Sequence, residues 1–145
     1  MFLSRPPDRI DWLRKVPLFT GLTRRHLDVI ARQTDEVKVD GGKVVARQGT
    51  LGQEFLLIVD GSARVERDGT VIARLDAGDF FGEMSLIDGK PRSATVIADT
   101  PVALLAVDSR SFRHLLDTVP GLQRKILIGL CGRLRAADAA LTERN

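Results

Sequence analysis

The sequence predicts a mainly β domain, a barrel or sandwich of short strands, with helices flanking it at both ends. Three observations carry this. Between residues 36 and 108 the chain runs through short β-branched and apolar segments: KVVARQG, EFLLIVDG, SARVERDG, TVIARLDAGD, ATVIA and PVALLAVD. The first four are each closed by Gly or Asp-Gly, and turn signals at such regular spacing suit a barrel or sandwich, not alternating strand–helix units. Before and after this region, apolar residues return at spacings of three and four, the period of a helix.

The elements follow in order. Ile10, Leu13 and Val16 recur at helical spacing, and Pro17 ends that pattern. Thr23 is placed to cap RRHLDVIARQ, in which Leu27, Ile30 and Ala31 share a face. Asp68-Gly69, between two alternating runs, signals a tight hairpin. Ser109 is placed to cap SFRHLLDTV, and Pro120 separates that segment from a last helix. On the last helix Leu122, Ile126, Leu130, Leu134, Ala137 and Leu141 follow one face, with Arg124, Lys125, Arg133, Arg135 and Asp138 mostly off it. The expected organisation is one domain over 1–145: N-terminal helices to residue 35, the β region from 36 to 108, and C-terminal helices from 109.

A chain of 145 residues suits a single domain, and 43% apolar with 28% charged residues is ordinary for a soluble globular protein. The net charge of +3 is too mild to predict a nucleic-acid or membrane partner. Cys131 stands alone, which excludes an internal disulfide and a Cys-rich zinc site and suits a reducing cytoplasm. No apolar run reaches the roughly 18 residues of a membrane span, and MFLSRPPDRIDWLRK lacks the apolar stretch of a secretory signal.

Catalysis is not expected. His26 and His114 sit on amphipathic helices without metal-ligand partners at suitable spacing, so a structural or surface role is the better reading. Asp76, Asp79 and Glu83 form an acidic cluster, but Asp79 falls in a strand-linking turn, where Asp commonly caps its own backbone. Cys131 reads as a small buried or interface residue, Arg24-Arg25 as a solvated helix face, and Trp12 as an anchor for the first helix.

The informative run is FGEMSLIDGKPRSATV, residues 81–96. Gly78 and Gly82 permit tight turns and close backbone approach. Glu83 to Ile87 is long enough for one helical turn, whose first N–H groups suit an anion. Pro91 fixes the chain entering the next strand, and Arg92 and Ser93 then face back toward the helix start. One guanidinium, one hydroxyl and exposed amides match a pair of phosphate oxygens. Glu83 has the wrong sign for phosphate; an acceptor-only carboxylate suits a neighbouring hydroxyl, such as a ribose 2′-OH. Taken singly, Glu83 and Arg92 are better read as a mutual salt bridge and Gly82 as a turn residue. Together, after a barrel and before a strand, they are much harder to dismiss.

This run resembles the phosphate-binding cassette of cyclic-nucleotide-binding domains, a family that includes protein kinase A regulatory subunits, the catabolite activator protein and nucleotide-gated channels. The similarity extends from about Val16 to Leu141. It implies an eight-stranded jelly roll with N-terminal helices and two C-terminal helices. It also implies site roles. Gly82 and Glu83 match the Gly-Glu pair whose carboxylate accepts from the ribose 2′-OH. Ser85 takes the small-residue position whose N–H meets the cyclic phosphate. Arg92 matches the arginine that pairs with the phosphate charge, and Ser93 completes the phosphate contacts. Met84 and Val96 help line the base pocket, and Leu130, Leu134 or Arg135 of the last helix is available to cap the base.

The expected function is a stand-alone cytoplasmic sensor of a cyclic nucleotide, cAMP or alternatively cGMP, with no catalytic activity, that moves its last helix on binding and regulates a separate protein. A homodimer through the last helix is open. The alternative is a ligand-free dimerisation or docking module of the same fold. No reader domain follows the last helix before Asn145, so DNA recognition is not expected.

Overall fold

A computed structural model describes the backbone of residues 6–144 and the side chains of residues 9–139. The chain begins with α1 (Pro6–Arg14), a short 3-10 turn (Pro17–Phe19) and α2 (Arg24–Arg32). Then come β1 (Asp35–Val39), β2 (Val44–Ala46), β3 (Glu54–Asp60), β4 (Ser62–Arg67), β5 (Thr70–Asp76) and β6 (Phe80–Phe81). The short helix α3 (Glu83–Asp88) interrupts the strands before β7 (Thr95–Ala98) and β8 (Val102–Asp108), and α4 (Ser109–Thr118) and α5 (Leu122–Arg144) close the chain.

All strand pairs are antiparallel, in two four-stranded sheets of order β1-β8-β3-β6 and β2-β7-β4-β5. The sheets form the two halves of the predicted jelly roll. Their inner faces share a core of Leu56, Ile58, Leu104 and Ala106 from one sheet and Ala63, Leu75, Val96 and Ala98 from the other. The opposite face of β3 and β8 presents Phe55, Leu57, Leu105 and Val107 to a second core, built with α1, α2, α4 and α5. Two-sided burial explains why β3 and β8 are continuous apolar runs without alternation. β5 has almost only exposed residues; it is the edge strand of its sheet, paired only with β4, and buries Leu75 alone.

Local signals act as the sequence suggests at most points. The Thr23 hydroxyl accepts the His26 N–H at 3.2 Å and caps α2. Asp68 and Gly69 have φ of 52° and 81°, the doubly positive pair of a tight hairpin between β4 and β5. One cap is corrected: Asp108, not Ser109, caps α4, its carboxylate accepting the Ser111 N–H at 2.8 Å. Asp108 still has extended backbone, whereas Ser109 is already helical. Two strands escaped the sequence reading. β1 has no buried residue, and β6 is two residues long and paired only to Leu56 and Leu57.

Candidate ligand site

The site forms where β6 leaves the first sheet and α3 begins. Gly82 is the N-cap of α3, with φ of 91°. A Cβ there would fall 2.4 Å from the Glu54 carbonyl oxygen and 3.3 Å from Nη1 of Arg92, so only glycine fits. Gly52, in the loop before β3, makes the matching close approach. Its Cβ position lies 2.8 Å from the Ser85 Cβ and 3.0 Å from the Arg92 guanidinium carbon. Arg92 is thus folded inward, its guanidinium beside two glycines and the buried Ser85. Its backbone is pinned by its N–H donating to Thr50 O at 2.8 Å and its carbonyl accepting the Gly49 N–H at 2.9 Å.

The Arg92 guanidinium makes no hydrogen bond or ion pair with the described residues. Burial lowers its pKa from the ordinary value, and the nearby Glu54 and Glu83 carboxylates oppose that shift. A half-buried cation without a direct partner is expensive.

Glu83 is the reverse case. It is only 1% exposed, one of the largest fully buried side chains. Its Oε1 accepts from Nη1 of Arg133 on α5 at 2.6 Å. Its Oε2 is buried and has no partner. Burial pushes the Glu83 carboxyl up, and Arg133 first, then Arg92, act against it. Arg133 also donates through Nη2 to the Phe80 carbonyl and stands 4.6 Å above the centre of the Phe80 ring. The salt bridge anticipated as the alternative, Glu83 with Arg92, is not the one that forms; Glu83 pairs with Arg133.

The structure therefore brings Gly82, Glu83, Ser85 and Arg92 together. Ser93 follows at an exposed position, its carbonyl accepting from Nε of Arg67 at 3.1 Å. Met84 lies on the outer side of α3 and is 52% exposed, while Val96 is buried in the core between the sheets. Among the three base-capping candidates, Leu130 packs beside the helical core, Leu134 is 65% exposed and Arg135 is exposed. The side chain of Leu141, the end of the predicted stripe, lies outside the described residues.

Arg133 is the residue that sequence reasoning missed, since it was grouped with charges off the apolar stripe. Its signal lay in the small residues one turn earlier. Gly129 lets α5 touch β6 so closely that a Cβ there would sit 2.7 Å from the Phe80 ring. Elsewhere, Asp79 caps its own turn as expected, accepting the Asp76 N–H at 2.8 Å. Cys131, expected to be buried or at an interface, is exposed in the chain as it stands. No group of three His, Cys, Asp or Glu among the described residues is placed to hold a metal. No helix of the described residues is long and apolar enough to cross a membrane.

Known proteins with related sequence and fold share this architecture. The chain is 38% identical over 113 residues to the cAMP-dependent protein kinase regulatory subunit of Schizosaccharomyces pombe, across 77% of this chain and 27% of the relative. It is 40% identical over 111 residues to a cyclic nucleotide-gated potassium channel of Rhizobium etli, across 77% of this chain and 31% of the channel. It thus spans about a third or less of these relatives' length. The crystal structure of the Thermus thermophilus catabolite activator protein superposes with a TM-score of 0.79 at 34% identity, covering 87% of this chain and 62% of that one. The sequence profile described as the cyclic nucleotide-binding domain matches residues 36–119, from β1 to the end of α4. On this match the chain belongs to the cyclic nucleotide-binding domain family.

Proposed function

We propose that this domain binds cAMP between Arg92 and Glu83 and signals the bound state through α5. The carrying observation is a pair of unmet polar groups side by side: the Arg92 guanidinium, without a direct partner, and the buried Glu83 Oε2. A cyclic nucleotide supplies both complements. Its phosphodiester carries one negative charge, which a guanidinium binds through two oxygens. Its ribose 2′-hydroxyl donates to Oε2. The Ser85 N–H and Ser93 sit at the phosphate end of the same run. Adenine as the base follows the S. pombe relative, whose name specifies cAMP.

The output is a shift in the population of α5 positions. Leu122 and Ile126 anchor the start of α5, while beyond them Arg133 reaches to the site. A ligand that changes what surrounds Glu83 therefore acts on the helix that holds it. In this reading the domain performs no catalysis and regulates a partner protein in the cytoplasm.

A second reading, a dimerisation or docking unit, is supported by Leu127, Ile128 and Leu134, which are exposed along α5. Thermal denaturation with cAMP, cGMP and 5′-AMP separates the two. At a hundredfold excess of ligand over its dissociation constant, binding adds about 2.7 kcal/mol and raises Tm by several degrees. The expected order is cAMP above cGMP, with 5′-AMP inert. No shift with any cyclic nucleotide would leave the docking module as the better account.

A further inference from the structure

We propose that Arg67, at the tip of the β4–β5 hairpin, is a positioning residue for the phosphate: by holding the Ser93 carbonyl it fixes the part of the cassette that presents the Ser93 N–H and hydroxyl to the ligand. The inference rests on the binding mode proposed above. Its basis is a hydrogen-bonded junction of three separate segments, the hairpin tip, the loop before β3 and the exit of the cassette.

Strand alternation sends Arg67 to the side of the cassette. Ala63 is buried and Val65 packs against the core between the sheets, so Arg67, two residues further along β4, leaves on the same face. Arg64 and Glu66 go the other way and pair with each other, and Arg64 also pairs with Asp99. Arg67 forms no ion pair with a described residue; its Nε donates to the Ser93 carbonyl at 3.1 Å. The tip that carries it is itself held. Gln48 grips Asp68 twice, donating from Nε2 to Oδ1 at 3.0 Å and accepting the Asp68 N–H at Oε1 at 3.1 Å. The Gln48 N–H donates to Oγ1 of Thr95 at 2.9 Å. One side chain and its own amide thus tie the hairpin tip to the start of β7, just after Ser93.

Ser93 is therefore gripped on both sides. The Gly49 N–H donates to the Arg92 carbonyl at 2.9 Å, and Arg67 donates to the Ser93 carbonyl. In a trans peptide the N–H points opposite to the C=O, so the Gly49 bond sets the direction of the Ser93 N–H. The Arg67 bond sets the next peptide plane. With both planes fixed, the backbone of Ser93 has little freedom and its hydroxyl starts from one place. The Ser93 N–H donates to no described residue, and Ser93 is exposed. Without Arg67 the second plane turns freely, and the contact of Ser93 with one phosphate oxygen loosens. The contact of Arg92 with the other is left in place.

The test titrates the full chain, unsubstituted or carrying Arg67→Met or Arg67→Lys, with cAMP and with its Rp and Sp phosphorothioates, each of which replaces one exocyclic phosphate oxygen by sulfur. Sulfur accepts hydrogen bonds poorly, so the unsubstituted chain should prefer one diastereomer roughly fivefold or more. Arg67→Met should weaken cAMP by roughly threefold to tenfold and bring the two diastereomers toward equal affinity. Arg67→Lys keeps the charge and a donor, and should recover part of the preference. High salt screens a distant charge, so the loss in Arg67→Met should persist there. Unchanged cAMP affinity, equal losses for both diastereomers, a loss that disappears in high salt, or no preference in the unsubstituted chain would each overturn the positioning role and leave the functional reading intact. Failure of the unsubstituted chain to bind cAMP would overturn both.

Discussion

The two arginines at the cassette stand in opposite conditions. Arg133 comes from a distant helix, yet its guanidinium is bonded to a carboxylate and a carbonyl and stacked on a ring. Arg92 belongs to the cassette itself, is held at its backbone on both sides, and leaves its guanidinium unbonded among the described residues. One arginine is satisfied within the protein; the other has no direct partner for its guanidinium among the described residues. In the proposed binding mode, the difference marks where ligand binding energy enters. Buried polar groups in folded proteins are nearly always satisfied. Among the site's polar atoms the buried one without a partner is Oε2 of Glu83, and in the proposed binding mode the phosphate supplies the partner that the Arg92 guanidinium lacks.

The comparison can be broken at its frame first. Gly82→Ala puts a Cβ 2.4 Å from the Glu54 carbonyl at a φ of 91°, so α3 must move. Backbone strain of this kind costs about 1–3 kcal/mol. Chemical denaturation should show that loss, and cyclic-nucleotide binding should vanish with it.

Glu83→Gln separates function from stability. It should weaken cAMP by about tenfold, because a neutral amide accepts less strongly than a carboxylate. The stability effect has the opposite sign. Burial raises the folded-state pKa of Glu83 above its unfolded value. The favourable contribution of the protonated form is therefore complete below the unfolded pKa and lost as pH rises through the folded one. Glu83→Gln cannot lose a proton, so its stability relative to the unsubstituted chain should improve as pH rises from the unfolded-state pKa of Glu83 through its raised folded-state pKa. Urea denaturation at several pH values checks this, and a flat difference would show that Arg133 compensates the burial fully.

Two glycines on α5 sharpen the arginine comparison at smaller cost. Gly129→Ala drives a methyl to 2.7 Å of the Phe80 ring and should cost about 1–3 kcal/mol by overpacking, while loosening the seat of Arg133. Gly132 has open space where a Cβ would go, so Gly132→Ala should instead stabilise α5 by up to about 1 kcal/mol through helix propensity. Melting both variants with and without cAMP should give opposite signs; equal losses would contradict the close fit of α5 to β6.

Much of this was legible in the sequence because the signals are local. The hairpin at Asp68-Gly69, the cap at Thr23 and the helix start after Gly82 each depend on residues within a few positions. The cassette residues Gly82, Glu83, Ser85 and Arg92 lie within eleven positions of one another, and their pattern could be read as chemistry. Other features were set at long range. β1 and β6 exist because β8 and β3 offer them partners, not because of their own periodicity. Gly52 matters only because the fold brings Ser85 and Arg92 against it. The Glu83–Arg133 pair spans 50 positions and depends on how closely α5 meets Phe80, which no spacing rule encodes. Hydrophobic periodicity likewise drew one stripe along α5, whereas only Leu122 and Ile126 of its first two turns are fully buried and Leu134 is not.

The central claim is that Arg92 awaits a cyclic phosphate. Calorimetric titration of cAMP into the unsubstituted chain and into Arg92→Ala, both checked for equal folding by circular dichroism, addresses it directly. Truncating one partner of a buried charged pair costs on the order of 2–5 kcal/mol, so affinity should fall roughly thirtyfold or more. Equal affinity in the two proteins would contradict the account.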